Sequence, residues 1–148
     1  MIYGNVDGVK KYALDRLKKI YDMQVPKDVL CSREIVGIIW NFSIYLNREI
    51  SVAVDRRGEV VNVTIGNSST VDIGKFTSLE NRLSGIRIIH THPGSRARLS
   101  MVDVSALTKL KLDCIAAVGI KNGVIELCMG FCKIEDKLIK AEISNKIT

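Results

Sequence analysis

Both histidines of this 148-residue chain stand in one short stretch, Ile88-Ile89-His90-Thr91-His92-Pro93, with Ser100 and Asp103 following at a fixed distance. One residue separates the histidines; seven lie between His92 and Ser100, and two between Ser100 and Asp103. In an extended chain, side chains two apart lie on one face. His90 and His92 can therefore point the same way at the C-terminal end of a strand, the end where ligands tend to bind in α/β sheets. Asp103 falls in the first turn of the following helix, which the intervening loop can fold back beside the strand end. Two imidazoles and one carboxylate then converge and leave a fourth position for water, the ligand set of a catalytic zinc. Such a water is acidified toward neutral pH and can attack a carbonyl. A carboxylate from elsewhere in the chain must take its proton. The same donor set also accepts other divalent ions.

Each residue taken alone has a plainer explanation. Ser100 fits the N-cap of a helix, with Asp103 at its third position favoured by the helix dipole. His90 fits a satisfied core histidine. The joint pattern is rarer: at ordinary residue usage, four such fixed positions arise by chance in roughly one chain in a few thousand. The strand–loop–helix context is what would confirm the site.

The elements that must position these residues follow from periodicity. Apolar residues at Val9, Tyr12, Ala13, Leu17, Ile20 and Tyr21 predict a helix over about 8–23, with Lys10, Lys11, Arg16, Lys18 and Lys19 mostly on the other side. Val25-Pro26 ends it. A second helix over about 32–46 starts at a capping Ser32 with Glu34 in its first turn, and has so little polar face that it should be largely buried. Glu49–Val54 and Val60–Ile65 read as strands joined by the turn Asp55-Arg56-Arg57-Gly58. Gly66–Thr70 is a loop before a short strand. Gly85–His90 is a strand, Pro93–Leu99 a loop, and Met101 to about Leu112 a helix, apolar at Met101, Val104, Leu107 and Leu110. Cys114–Gly119 and Val124–Phe131 form a hairpin around Lys121-Asn122-Gly123, Asn-Gly being the strongest short signal for one. A turn at Glu135-Asp136-Lys137 and one last strand or tail complete the chain. The fold class is α/β, a three-layer mixed sheet flanked by helices. The unit from Gly85 to Gly119 has the length of a right-handed parallel crossover.

Composition bounds the rest. The length suits a single domain, 1–148, with a full hydrophobic core. Hydrophobic residues make up 47% and charged residues 26%, as in ordinary globular proteins. No apolar run is long enough to span a membrane, and Met1–Lys11 holds no apolar signal core, so a cytoplasmic protein is expected. The four cysteines (Cys31, Cys114, Cys128, Cys132) lack CxxC spacing; they read as buried reduced thiols rather than a zinc cluster. A net charge of +6 permits an acidic partner such as RNA. The basic residues are scattered and aromatics are only 5%, so no stacking platform is evident.

The run His90-x-His92-Pro93 followed by Ser100-x-x-Asp103 resembles the signature of the JAMM (MPN-type) zinc metalloproteases, among them isopeptidases that remove ubiquitin-like tags. The resemblance implies a cytidine-deaminase-like fold with zinc on His90, His92 and Asp103. It implies that Ser100 helps hold the tetrahedral oxyanion. It also implies a general-base glutamate at the start of an early strand after a long helix, the place Glu49 occupies. Glu34, at a helix start, and Glu80, in a loop, are rivals that match that place less well.

A second resemblance covers most of the chain, to about residue 130. Ile2-Tyr3-Gly4-Asn5, the Gly8-Val9-Lys10-Lys11 region, Val25-Pro26, Asp55-Arg56-Arg57-Gly58, Ile89-His90-Thr91-His92 and Leu112-Asp113 together look like the N-terminal extension of bacterial HflX-type GTPases, which act on ribosomes. In such extensions the acid at the place of Glu49 is commonly absent and Leu often stands at the place of Pro93. This chain has both Glu49 and Pro93, which restores the protease-like set. No GTPase motif is present: Gly66 and Gly74-Lys75 lack P-loop spacing, and Phe76 stands where Ser or Thr is needed. The chain therefore reads as an isolated N-terminal domain or a stand-alone homologue.

Two functions follow. One is a zinc-dependent hydrolase of peptide or isopeptide bonds, with His90, His92 and Asp103 as ligands, Glu49 as base and Ser100 as oxyanion donor. The other is a non-catalytic domain that binds the ribosome, a GTPase domain or another protein partner. Neither calls for a membrane or DNA.

Overall fold

The computed structural model describes residues 1–29, 32–71, 84–135 and 138–147, with side chains described up to residue 131. The expectations resting on Cys31, Cys132, Glu80, the short strand after Thr70, the Gly74-Lys75-Phe76 segment and residues 136–137 of the last turn lie outside these.

In chain order the elements are β1 (Ile2–Gly4), α1 (Lys11–Lys18) running into a 3₁₀ turn (Lys19–Asp22), α2 (Arg33–Leu46), β2 (Ile50–Val54), β3 (Val60–Ile65), β4 (Arg87–Thr91), α3 (Met101–Lys109), β5 (Cys114–Lys121), β6 (Val124–Glu135) and β7 (Leu138–Ile147). The sheet has seven strands in the order β1-β3-β2-β4-β5-β6-β7. It is mixed: β2–β3, β2–β4, β5–β6 and β6–β7 are antiparallel, while β1–β3 and β4–β5 are parallel. The expected crossover is therefore present, with α3 between the adjacent parallel strands β4 and β5.

Strand alternation divides the core. Val52, Val54, Ile89, Ala116 and Val118 belong to a cluster with Leu17 of α1 and Ile35, Ile39 and Trp40 of α2. Their neighbours Ala53, Ile88 and Ile115 belong to a second cluster with Leu107 of α3 and Leu112. Helices thus flank the sheet on both faces, the α/β arrangement expected from the sequence. The β5–β6 hairpin turns on Asn122 and Gly123, both at positive φ (51° and 77°), the conformation that selects Asn-Gly.

Four details depart from the expectations. The first helix begins at Lys11 rather than near Gly8, because Gly8 has φ 72° and Lys10 is extended. Ile2–Gly4 forms a strand too short to show a period. α2 is only partly buried: Ile35, Val36, Ile39, Trp40 and Ser43 face inward, but Ile44 and Tyr45 are exposed, since a helix on a sheet buries one stripe. On α3, Met101 is 85% exposed, and the inward residues are Asp103 and Leu107, one turn apart.

Leu107 is fully buried in the second cluster, so Leu107→Ala should lower stability in urea denaturation by about 2–4 kcal/mol. Ile44→Ala, on the exposed side of α2, should change it by less than about 0.5 kcal/mol.

Candidate metal centre

His90 is in phase with Ile88 on β4 and so faces the α3 side of the sheet, where it is 2% exposed. His92 lies one residue past the strand, and its amide donates to the Val118 carbonyl of β5 at 2.7 Å. That bond prolongs the parallel ladder far enough to keep the second imidazole in phase with the first. The two rings have centroids 4.9 Å apart and planes inclined at 58°.

Asp103 reaches the histidines from the first turn of α3. Its amide donates to Ser100 Oγ at 3.0 Å, and its Oδ2 accepts from the Ser100 amide at 2.8 Å. This reciprocal capping box is the structural role foreseen for the pair. It also aims the carboxylate at His90, whose Nε2 lies 3.4 Å from Asp103 Oδ2. The capping and ligand readings are compatible, because a carboxylate has two oxygens and capacity beyond one bond. The Ser100 hydroxyl accepts from the Asp103 amide, lies against the Asp103 carboxylate, which it helps to keep ionised, and lines the cleft.

Glu49 arrives from the opposite side. The chain leaves α2 through Asn47 in the left-handed conformation (φ 51°), then enters β2. The Glu49 amide donates to the Asn67 carbonyl at 2.7 Å, and its own carbonyl accepts from Gly66 at 2.8 Å. Its Oε1 lies 3.9 Å from His92 Nε2. Glu49, His90, His92, Ser100 and Asp103 all line one cleft of about 530 Å³, together with Ser68, Thr70 and Val102. All five site residues expected from the sequence are thus brought together. Glu34 sits exposed in the first turn of α2, away from this cleft.

Sequence reading missed the residue that holds the two sides in register. Thr91, between the histidines, points to the α2 face. Its hydroxyl accepts from the Ile50 amide at 2.9 Å and lies 2.6 Å from Ser43 Oγ, which donates to the Arg48 carbonyl at 2.6 Å. With the Ser43 proton on Arg48, Thr91 donates to Ser43 across the 2.6 Å contact in preference to the Ile50 carbonyl at 3.5 Å. This chain ties residues 48–50, and with them Glu49, to the middle of the His-x-His stretch. The alternation of side chains predicts that Thr91 points away from the site, but nothing in the sequence identifies Ser43 as its partner.

The electrostatics are those of a crowded, half-dry site. Burial pushes the Glu49 carboxyl up to about 7, with His90 opposing and Asp103 adding to the rise. Burial and the neighbouring His90 lower His92, against the opposing pull of the Arg96 carbonyl and Asp103. Burial raises Asp103, but His90 and the Ser100 amide and hydroxyl outweigh it, and the carboxyl lies below its ordinary value.

His90, His92 and Asp103 each offer one donor atom, all within 4.8 Å of one another, close enough to hold a metal ion. The strongest sign that they fit one is His90: both ring nitrogens are buried, and among the described residues neither has a hydrogen-bond partner. The 3.4 Å contact to Asp103 lacks hydrogen-bond geometry. Leaving such a group unsatisfied costs about 1–3 kcal/mol, and a cation among the three donors would satisfy one of the two nitrogens.

Of the thiols expected to be buried, Cys114 and Cys128 are. Among the described residues no helix is long and apolar enough to cross a membrane. No protein-family model and no curated protein matches the chain.

Two outcomes test this geometry. Thr91→Val keeps the shape but strands the Ile50 amide and removes the donor to Ser43; urea denaturation should show a loss of about 1–3 kcal/mol. For Glu49, a carboxyl that ionises near 7 when folded and near 4.5 when unfolded stabilises the protein fully below the lower value. That contribution fades as pH rises through the higher one. In the metal-free protein, the wild type should therefore lose roughly 2–3 kcal/mol relative to Glu49→Gln between pH 4.5 and 8, read from denaturation curves. A constant difference between the two proteins would contradict the burial of Glu49.

Proposed function

We propose that the chain is a JAMM-like zinc-dependent hydrolase domain that cleaves peptide or isopeptide bonds. The observation that carries the reading is the meeting of His90, His92 and Asp103 with Glu49 and Ser100 in one cleft. A donor triad alone would suit a structural site. A buried carboxylate and a hydroxyl beside it in the cleft add the two functions that amide hydrolysis needs.

His90 and His92 would hold zinc, or another divalent ion, through ring nitrogens and Asp103 through a carboxylate oxygen. When bound, the ion supplies a water acidified toward neutral pH and polarises the substrate carbonyl. Glu49, at the rim of the triad, takes a proton from the attacking water on a carboxylate oxygen and passes it to the departing amine as the C–N bond breaks. Ser100 donates its hydroxyl proton to the carbonyl oxygen as negative charge gathers there. The capping bond from Asp103 holds that hydroxyl still, so its reorientation cost is met by the fold rather than during the reaction.

A second reading rests on the surface. Lys10, Lys11, Lys18 and Lys19 at and around α1 are exposed, and the chain carries a net +6. They support a binding domain like the N-terminal extension of HflX-type GTPases, directed at ribosomal RNA or protein. Ribosome affinity that falls steeply with salt would favour it.

Elemental mass spectrometry of the purified protein should find about one zinc per chain, lost in His92→Ala. Glu49→Gln should keep the metal and lower cleavage of peptide or isopeptide substrates by at least about 100-fold. Absence of metal even after zinc is supplied would sink the hydrolase reading. Metal bound without any Glu49-dependent amide hydrolysis would favour the binding domain.

A further inference from the structure

The structure assigns Glu126 as a positioning residue for His92, acting through the backbone of the loop that joins the histidines to α3. The inference rests on the metal-site reading for its consequence, but its geometry stands apart from it.

His92 lies beyond the end of β4, so strand pairing fixes its backbone and not its ring. The ring is fixed by one bond, Nδ1 donating to the Arg96 carbonyl at 3.1 Å. With the proton on Nδ1, the Nε2 lone pair is left facing the cleft, the tautomer a metal ligand requires. Everything therefore depends on where the Arg96 carbonyl stands.

Residues 95–97 lie flat on β5. The Ile120 amide donates to the Ser95 carbonyl at 2.8 Å. A Cβ at position 119 would fall 2.2 Å from the Ala97 nitrogen and 2.4 Å from the Arg96 carbonyl carbon; only glycine admits the loop. Directly across the β5–β6 ladder, Gly119 pairs with Glu126. The Glu126 carboxylate extends over the space that a side chain at 119 would occupy. Its Oε1 accepts from Arg96 Nε at 2.6 Å and from the Ala97 amide at 3.2 Å. Ala97 is buried, so its amide needs that acceptor. The Arg96 carbonyl and the Ala97 nitrogen are the two ends of one planar peptide unit. Holding the nitrogen end and the Arg96 side chain fixes the carbonyl end, and the carbonyl fixes the imidazole. The Arg96 hydrogen bond also holds the Glu126 carboxyl below its ordinary value, so the carboxylate stays charged down into acid.

The test compares wild type, Glu126→Gln and Glu126→Ala, with zinc affinity measured by competition against a chromophoric chelator. Glu126→Ala should weaken zinc binding by about 10-fold or more, and Glu126→Gln, which keeps an acceptor for Ala97 but not the ion pair, by less. Long-range ¹H–¹⁵N NMR of the imidazoles in the metal-free proteins gives the second readout. Wild type should show His92 protonated on Nδ1, Glu126→Gln should retain most of that tautomer, and Glu126→Ala should show a mixture. A merely structural role would lower Tm and leave the tautomer unchanged. Should Glu126→Ala fail to fold, the Glu126→Gln spectrum decides: a tautomer and zinc affinity identical to wild type would overturn the assignment. Zinc affinity within twofold of wild type and an unchanged tautomer in Glu126→Ala would overturn it as well. If the wild type binds no zinc, the metal-site reading fails on its own, while the tautomer comparison still tests Glu126.

Discussion

Across the β2–β4 ladder His90 pairs with Ser51, and the site depends on that register. Side chains alternate along a strand, so a slip of one residue would turn His90 into the α2-side core and bring Thr91 into the cleft. Ladder hydrogen bonds alone specify register weakly, because each shifted pairing offers a similar number. Two features select this one. Ile89 and Val52 seat in the α2-side cluster and Ile88 and Ala53 in the other, which fixes the phase. The Thr91–Ser43–Arg48 hydroxyl chain fixes the position, because its donors and acceptors are satisfied in one alignment. The hydroxyl chain is buried, so misalignment would leave several polar groups dry at once.

The three segments that form the cleft solve their own local problems first. Asn47 ends α2 and Gly66 and Asn67 receive the backbone of Glu49. Ser100 and Asp103 cap α3. Gly119 gives the loop room to return. Each would serve a protein with no site. What they share is direction: every one of these devices closes at the C-terminal edge of β4, where two parallel strands end and a crossover begins. Ligands collect at such edges because backbone groups leave the ladder there and side chains can converge without competing for the same space.

That logic explains what the sequence made legible. The helices over 32–46 and 101 onward, the two hairpins and the parallel crossover follow from periods and turn residues, signals carried by neighbours in the chain. The His-x-His pair and the Ser100–Asp103 spacing were legible for the same reason: each is local, and strand and helix geometry convert spacing into a common face. Glu49 needed more, a resemblance, because one acid among 16 carries no local mark of facing a histidine some forty residues away. Thr91–Ser43 and Arg96–Glu126 were not legible at all. Their partners are 48 and 30 residues apart, and Ser43 on an apolar helix or Glu126 on a strand looks like any other polar residue until the ladder register is known. β1 was missed because its three residues are too few for a pattern.

The charge of the cleft runs against that of the chain. The protein carries a net +6, which by itself would repel a cation. The described residues lining the cleft include the carboxylates Glu49 and Asp103 and neither lysine nor arginine. At physiological salt, charges farther than about 8 Å across solvent are largely screened, so the scattered surface lysines have little hold on the interior. Within it, the Asp103 carboxyl is kept anionic by the Ser100 amide and hydroxyl and His90. Glu49 is driven toward its protonated form by burial and by the nearness of that same anion, and His92 is held from protonating by burial and His90. A positive ion at the centre would suit each of them: it would pair with the Asp103 anion, favour the anion on Glu49, use the neutral imidazole that burial already enforces on His92, and give one of the two buried ring nitrogens of His90 a partner. Glu49 and His90 are costly where they stand, and with Asp103 and His92 they are collectively suited to a cation, which is what separates a candidate metal centre from a mere cluster of polar residues.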